Sequence, residues 1–478
     1  MADADFRAAV LMATALLTPR AATREDTARP RRLRVTGVLI VAPFLVACVC
    51  VADWIFAAVR PATRDQIWLW YTATHFNGLH EVQLGFLLLS AATIAIAARG
   101  RFEFRCEVAL VVEFAAYCLG TKIWPPTGDQ MTWYQNAATP NVSLSEPLAD
   151  VVHKIPFWLT GDLEAVRLVS PIFGVAAMIA GIALSRRLSS ILGLPRWPLL
   201  AGLVASPLPF WYVTGYVENT FLAVPFIMLG LWFACGATSG SLHQRRRVVG
   251  SASMFVLAGL FHAGFMLLAV GLGAWFLLRE VGSPWGRLKD VAAAVGAAVA
   301  TGAVVIGGVA LLPVRLAPGN SQGGYDGQLL VPFAPRADDP IFRFVFVSHA
   351  HLIEFSNIVV HAMPALVLAV PVLLILAVMR KTSASVIPAD AVGRSVLLLL
   401  SCVSLAYFAF AAVWGFDLGP VGDLDLMLTM DIAFVFATVV TAARLLQRHP
   451  VVLGALLLLS GATQFAFYAM KIADVWVR

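Results

Sequence analysis

Residues 357–379 read NIVVHAMPALVLAVPVLLILAVM, a stretch without Lys, Arg, Asp or Glu, and Arg380 and Lys381 follow it directly. An α-helix rises about 1.5 Å per residue, so about 20 apolar residues cross the ~30 Å hydrocarbon core of a bilayer. Cations gather on the cytoplasmic side of membrane proteins. The stretch therefore predicts a membrane-spanning helix whose end at Arg380 lies on the cytoplasmic side.

The composition of the whole chain supports the same interpretation. Of its 478 residues, 60% are hydrophobic and 13% are charged, and the mean hydropathy is +0.82. Soluble domains are about half apolar and about a quarter charged. These proportions exclude a soluble enzyme, a disordered chain and a fibre. They predict an all-α, polytopic transmembrane helix bundle, because helices satisfy their own backbone hydrogen bonds in lipid.

Similar apolar runs recur along the chain and predict about 13 spans. The run 250–278 is too long for one span, so we expect two short helices that meet near His262. The other runs are 36–58, 81–98, 106–124, 165–185, 197–214, 219–238, 290–312, 357–379, 395–414, 426–443 and 450–469.

The placement of charge orients these spans. With the amino terminus inside and the carboxyl terminus outside, 24 of the 34 cations fall on the cytoplasmic side, and most carboxylates fall outside or within spans. The net charge of +6 therefore encodes topology and does not indicate nucleic-acid binding. Residues 1–35 lack an apolar core before Pro30, so we expect a basic cytoplasmic segment and no cleavable signal peptide. We expect a multi-pass protein of a bacterial inner membrane.

Three long outer segments carry most of the candidate chemistry, because long loops are usually functional and the inner loops are short and basic. They are residues 60–80, 125–164 and 313–356.

The second outer segment offers a candidate general base. Asp129 follows a Pro-Pro-Thr-Gly turn at the end of a predicted span, where partial desolvation raises the proton affinity of a carboxylate. An ordinary solvated turn carboxylate is the alternative. Tyr134 suits the aromatic belt at the membrane interface. Residues 146–164 predict one or two helices lying on the membrane, with His153 and Lys154 facing the lipid headgroups.

Other carboxylates compete for the same role. Glu218 lies at the outer end of a predicted helical hairpin, where it either caps the following helix or lines a cleft opposite Asp129. Asp53, Glu113 and Asp431 lie inside predicted spans, where an ionisable residue is a functional candidate by default and a satisfied structural hydrogen bond is the alternative.

Cationic candidates for phosphate binding lie mainly in the third outer segment. Arg315, Arg336, Arg343 and His349 are placed there, and arginine grips phosphate with bidentate charge-assisted hydrogen bonds. Binding to anionic lipid headgroups is the alternative. His262 is expected in the outer half of the bundle, either at the substrate or as a packed hydrogen-bonding residue.

The short outer turn 415–426 contains three carboxylates, of which helix capping explains one. Asp423 and Asp425 are a candidate site for a divalent metal, Mg²⁺ or Mn²⁺. No other cofactor is indicated.

These features together resemble the GT-C superfamily of polytopic glycosyltransferases, which includes protein O-mannosyltransferases, aminoarabinose transferases and oligosaccharyltransferase catalytic subunits. The resemblance rests on Gly128-Asp129-Gln-Met-Thr-Trp-Tyr134 with the membrane-lying stretch 146–164, and on the large outer loop after the seventh module helix. It covers residues 106–356 by topology, and two additional amino-terminal spans depart from the simplest family layout.

The resemblance implies both a domain plan and a reaction. The plan is a basic segment 1–35, two spans in 36–105, a seven-helix catalytic module 106–312 with outer loop 125–164, an outer loop 313–356, and carboxyl-terminal spans 357–478. A polyprenyl-phosphate sugar would be transferred, with inversion, to a hydroxyl of a glycan, lipid or protein on the periplasmic or luminal face. Asp129 or Glu218 would accept the proton. The residues that bind the leaving phosphate would come from a set of seven, namely Tyr134, Lys154, His262, Arg315, Arg336, Arg343 and His349.

Two other functions remain open on the sequence. A transporter or flippase of a lipid-linked or small polar substrate explains the bundle and its intramembrane acids, and a polymerase or ligase of surface polysaccharide shares the expected substrates. The sequence disfavours an intramembrane protease, because Leu84 replaces the second histidine of a zinc HExxH motif and Pro420 replaces the first glycine of a GxGD motif.

Overall fold

The computed structural model describes residues 79–100, 103–121, 129–212, 219–239, 244–317, 359, 362–379, 387–388, 390–413 and 432–476. This part of the chain is nearly all α-helical, which confirms the expected fold class. Its α-helices are α1 (Leu79–Ala97), α2 (Glu103–Gly120), α3 (Asp129–Ala137), α4 (Pro147–Thr160), α5 (Val169–Leu192), α6 (Trp197–Ala205), α7 (Leu208–Trp211), α8 (Thr220–Gly236), α9 (Gln244–Phe261), α10 (Met266–Leu278), α11 (Pro284–Ala310), α12 (Pro364–Met379), α13 (Ala391–Val413), α14 (Ile432–Leu445) and α15 (Pro450–Trp476); its strands are β1 (Asn141–Ser143) and β2 (Arg315–Ala317).

Several helices have the length and composition of membrane spans. Within the described ranges, three helices are long and apolar enough to cross a bilayer, namely Leu163–Leu192, Pro284–Ala310 and Ala391–Phe410, and six shorter apolar helices accompany them. Helix α11 also exposes Val295, Val299 and Val304 by 57%, 67% and 74%. An exposed face this apolar promotes aggregation in water, whereas contact with lipid hydrocarbon is favourable for it. These helices are those of a membrane protein.

The run 250–278 divides at His262, as the sequence predicts. Helix α9 ends at Phe261, a single 3₁₀ turn covers Ala263–Phe265, and α10 begins at Met266. His262 itself is extended, and its Nδ1 accepts the backbone N–H of Gly264 at 3.2 Å. The side chain thus takes one of the orphan N–H groups of the new helical start.

The apolar run 197–214, in contrast, is not one continuous helix. Helix α6 ends at Ala205, and α7 restarts at Leu208. Ser206 is extended (φ −77, ψ 170) because the proline ring at Pro207 disfavours helical geometry in the preceding residue. Pro207 also lacks the N–H that the helix would need.

Arginines join the helices at one end of the bundle, here named the arginine end. Arg186 Nε donates to Glu107 at 2.8 Å, connecting α5 with α2. The fully buried Arg279 pairs with Asp290 in the first turns of α11. Arg394 pairs with the exposed Glu280. The sequence assigns all three arginines to the cytoplasmic side, and the structure places Arg186 and Arg279 near the carboxyl ends of α5 and α10 and Arg394 near the amino end of α13.

The opposite end of α11 leads into a small parallel sheet, and this end of the bundle is named the strand end. Asn141 of β1 aligns with Arg315 of β2, and Ser143 aligns with Ala317. The Arg315 N–H donates to the Pro140 carbonyl at 2.8 Å, and the Leu144 N–H donates to the Ala317 carbonyl at 3.1 Å. Two segments that the sequence places in separate outer loops are therefore hydrogen-bonded to each other.

Candidate functional site

Helix α4 forms a two-faced platform at the strand end. Pro147 is the first residue of the helix, and Gly161, whose backbone is in the left-handed region (φ 71), ends it. The face toward the bundle buries Ala149, Asp150, His153 and Lys154, whereas the other face exposes Ile155, Trp158 and Leu159. A buried polar face opposite an exposed apolar face suits a helix lying at a membrane interface. The expected helix within 146–164 is thus present.

The ammonium of Lys154 is buried, not solvated. Lys154 is fully buried, and its Nζ donates to the Asn136 carbonyl at the end of α3. Burial lowers the pKa of Lys154, and the charge of Asp150 opposes this shift. The prediction that Lys154 and His153 face the headgroups is therefore wrong. The α4 face that carries them packs inward, whereas the apolar residues on its other side are exposed.

Asp150 fastens β1 to α4. Its Oδ2 accepts the Ser143 N–H at 2.6 Å, and burial raises the pKa of Asp150 while this bond and Lys154 lower it. The carboxylate and the ammonium together hold three elements: α3, β1 and α4. Both groups are engaged in structure at the strand end.

His153 is buried as a neutral ring. It is 1% exposed, its ring centroid lies 4.9 Å from that of Trp133, and its Nδ1 has no hydrogen-bond partner in the part of the chain that the structure describes. Burial, followed by the charge of Lys154, lowers the pKa of His153 to about 3. The imidazole therefore carries no charge at neutral pH.

Tyr134 is packed inside the same layer. Its side chain is 5% exposed, and burial raises its pKa to about 12, with Arg167 acting in the opposite direction. Tyr134 thus anchors α3 against the turn that precedes α5.

A carboxylate–imidazole pair that the sequence analysis missed lies beside this platform. The Glu146 Oε1 is 3.5 Å from the His262 Nε2, and the two side chains are 20% and 19% exposed. Glu146 occupies the N-cap of α4, but its side chain makes no capping hydrogen bond. Burial lowers the pKa of His262 to about 4. The ring is therefore neutral at pH 7, and a partly accessible carboxylate faces it.

The structure brings four of the candidate residues to the strand end and leaves the others undefined. Tyr134, Lys154 and His262 lie around α4, and Arg315 lies exposed in β2. Asp129 is the first residue of α3, and its side chain is outside the described residues. Also outside them are Glu218, Arg336, Arg343, His349, Asp423 and Asp425.

The intramembrane acid Glu113 is satisfied by its neighbours. It accepts a hydrogen bond from Thr93 at 2.6 Å and another from Ser90 at 3.4 Å. Of the two interpretations left open for Glu113, these bonds favour the structural one. Across the described ranges, no group of three His, Cys, Asp or Glu side chains is arranged to hold a metal ion.

Comparisons with known proteins add no family. No protein-family model matches the chain, and no curated protein is significantly similar to it.

Proposed function

We propose that this chain is a multi-pass membrane glycosyltransferase of about 13 spans, with its amino terminus in the cytoplasm and its active face in the periplasm. It would transfer a sugar from a polyprenyl-phosphate donor to an acceptor hydroxyl, with inversion. The observation that carries the proposal is the parallel pairing of β1 with β2 beside the two-faced helix α4. This pairing supports one extramembrane site built from the outer segments 125–164 and 313–356.

The topology is supported by the separation of charge. Arg186, Arg279 and Arg394 interact at the arginine end, whereas β1 and β2 lie at the strand end. Positive charge on the cytoplasmic side supports a periplasmic position for α4 and the strands. Paired strands must lie on the same side of a membrane, and the six spans expected between them give that result.

The chemistry follows from the expected substrates. An acceptor oxygen attacks the anomeric carbon, a carboxylate takes its proton, and negative charge grows on the departing phosphate. Asp129 and Glu218 are the carboxylates proposed from the sequence. Arg315, which is exposed in β2, would attract the phosphate together with Arg336 and Arg343.

The test is transfer by the purified protein from a panel of radiolabelled polyprenyl-phosphate sugars, in detergent with added membrane-lipid acceptors and glycan acceptors. We expect one donor to be consumed and the product to have the inverted anomeric configuration. Asp129→Asn tests the base proposed from the sequence. Absence of transfer from every donor to every acceptor would refute the enzyme assignment.

A transporter or flippase is the second candidate, favoured by a buried amide, that of Gln464, in a small cavity lined mostly by apolar side chains. Gln464 is 3% exposed, and among the described residues neither its amide nitrogen nor its amide oxygen has a hydrogen-bond partner. It lines a cavity of about 30 Å³ together with Gln83, Tyr117 and Ser206. This volume holds about one or two waters and no sugar. Movement of a fluorescent lipid-linked sugar across proteoliposomes, without glycosyl transfer, would establish this alternative.

A further inference from the structure

The carboxylates of Glu146 and Asp150, both at the start of α4, differ in their accessibility. Asp150 is 4% exposed and engaged with the Ser143 N–H, whereas Glu146 is 20% exposed and leaves its own helix uncapped. Glu is also a poor choice for an N-cap, where Ser, Thr, Asp and Asn are preferred. A glutamate at an N-cap position whose side chain contacts His262 and does not cap its own helix departs from the local rule, and such departures mark candidate functional residues.

The hydrogen bonding of His262 fixes which of its nitrogens faces Glu146. Its Nδ1 accepts the Gly264 N–H, so the neutral ring carries its proton on Nε2. That nitrogen lies 3.5 Å from the Glu146 Oε1. Both ring nitrogens are then committed, one as an acceptor and one as a donor. His262 has no lone pair with which to take a proton from a substrate.

We infer that Glu146 is the general base of the proposed transfer and that His262 is its positioning residue. The inference rests on the proposed function. The acceptor O–H bond breaks and its proton passes to a Glu146 oxygen, while the acceptor oxygen forms a bond to the anomeric carbon. The bond from that carbon to the phosphate oxygen breaks, and the phosphate leaves with the electron pair. The proton then passes from Glu146 to water.

The setting of the pair suits this task. A neutral imidazole orients the carboxylate through an N–H donor and leaves the negative charge of the carboxylate in place. An imidazolium would neutralise that charge. The distance of 3.5 Å is long for a hydrogen bond, and such contacts commonly shorten once substrate is bound. Glu146 also precedes Pro147 directly, so the rigid first turn of α4 holds its backbone. Because α4 and the turn at His262 belong to distant parts of the chain, the pair exists only in the folded protein.

Glu146→Gln is the direct test, measured with the donor identified for the wild-type protein. A general base contributes about 10²- to 10⁴-fold, so we expect kcat to fall by that factor while the KM for the donor changes little. Glu164→Gln, at an exposed carboxylate in the turn after α4, is the matched control and should keep wild-type activity. If Glu146→Gln transfers sugar at the wild-type rate, Glu146 is not the base.

Azide separates a base from a structural residue, because this nucleophile has no proton to lose. We expect Glu146→Ala to form the inverted glycosyl azide as fast as the wild-type protein does, while transfer to a hydroxyl stays impaired. Equal loss of both reactions would show that Glu146 supports structure or donor binding. If Asp129→Asn shows the azide pattern and Glu146→Gln remains active, Asp129 is the base and the inference is overturned.

Two variants of His262 test positioning. Asn is a good N-cap residue, so His262→Asn keeps an acceptor for the Gly264 N–H and removes the donor toward Glu146. His262→Gln places an amide donor farther out, near the position of Nε2. We expect His262→Asn to lower kcat about tenfold or more, with azide transfer retained, and His262→Gln to recover part of it. Equal activity of His262→Asn and wild type would remove His262 from the mechanism.

The outcomes distinguish the two levels of proposal. A wild-type protein that transfers no sugar refutes the proposed function and the inference together. An active wild-type protein with an active Glu146→Gln refutes the inference alone.

Discussion

Acid should destabilise this protein through His153, and the variant His153→Phe should remove much of that effect. The pKa of His153 is lowered by burial to about 3, against an ordinary value near 6.5. Below pH 6.5 the unfolded chain binds a proton that the folded protein excludes, so stability falls as the pH falls toward 3. Each pH unit in this window is worth about 1.4 kcal/mol, so pH 5 should cost about 2 kcal/mol relative to pH 7.

Phenylalanine is the informative replacement, because it keeps a ring beside Trp133. No described residue forms a hydrogen bond with the Nδ1 of His153, so the substitution breaks no hydrogen bond seen at that atom. At pH 7 we therefore expect stability equal to or above that of the wild-type protein, since an unsatisfied buried polar atom costs about 1–3 kcal/mol. The free energy of unfolding in mixed micelles, from SDS titration at pH 7 and pH 5, measures both effects.

His449 provides the control, because its side chain is exposed. His449→Phe should leave the difference between pH 7 and pH 5 as it is in the wild-type protein. If His153→Phe also keeps the full wild-type difference, then His153 is not buried as a neutral ring and the packing of α4 on α3 is wrong.

Three further perturbations test other parts of the structure, each by the same unfolding measurement. Lys154→Met removes the hydrogen bond to Asn136 and the counter-charge of Asp150, so we expect a loss of about 3 kcal/mol, part of which Asp150→Asn restores in the double variant. Asp290→Asn leaves the fully buried Arg279 without its carboxylate and should cost about 3–5 kcal/mol, whereas a loss under 1 kcal/mol would contradict the burial of that pair. Val299→Asp places a charge on the exposed face of α11; in water it would change little, but in lipid it should cost about 2.5–3.5 kcal/mol and reduce membrane insertion, which protease protection in vesicles also reports.

The helices were predictable because each depends on local sequence. The break at His262 follows from too many apolar residues for one span and from the glycines around it, and the structure places that break at the expected residue. The boundary at Ser206 was also within reach, since Pro207 disfavours a helix at the residue before it. Hydrophobicity alone predicted one continuous span over residues 197–214, because a broken helix in lipid is as apolar as a continuous one.

The site was predictable only in its parts. The segment 125–164 contained the correct helix, but which face of α4 packs inward depends on partners that the sequence does not identify. Lys154 was assigned to the headgroups because an ammonium is usually solvated, and the structure instead gives it the carbonyl of Asn136. The contact of Glu146 with His262 joins residues 116 positions apart, so no local pattern contains it.

The charged groups at the strand end fall into two classes, those that hold structural elements together and those that remain partly exposed. Asp150 and Lys154 each make a bond that holds one element against another, and both are almost inaccessible. A lipid-linked substrate would approach from the membrane and meet the groups that remain partly exposed. Among the described residues these include the carboxylate of Glu146 and the guanidinium of Arg315 in β2. A proton acceptor and a phosphate-binding cation are the two groups that the proposed transfer from a phosphate-linked sugar would use.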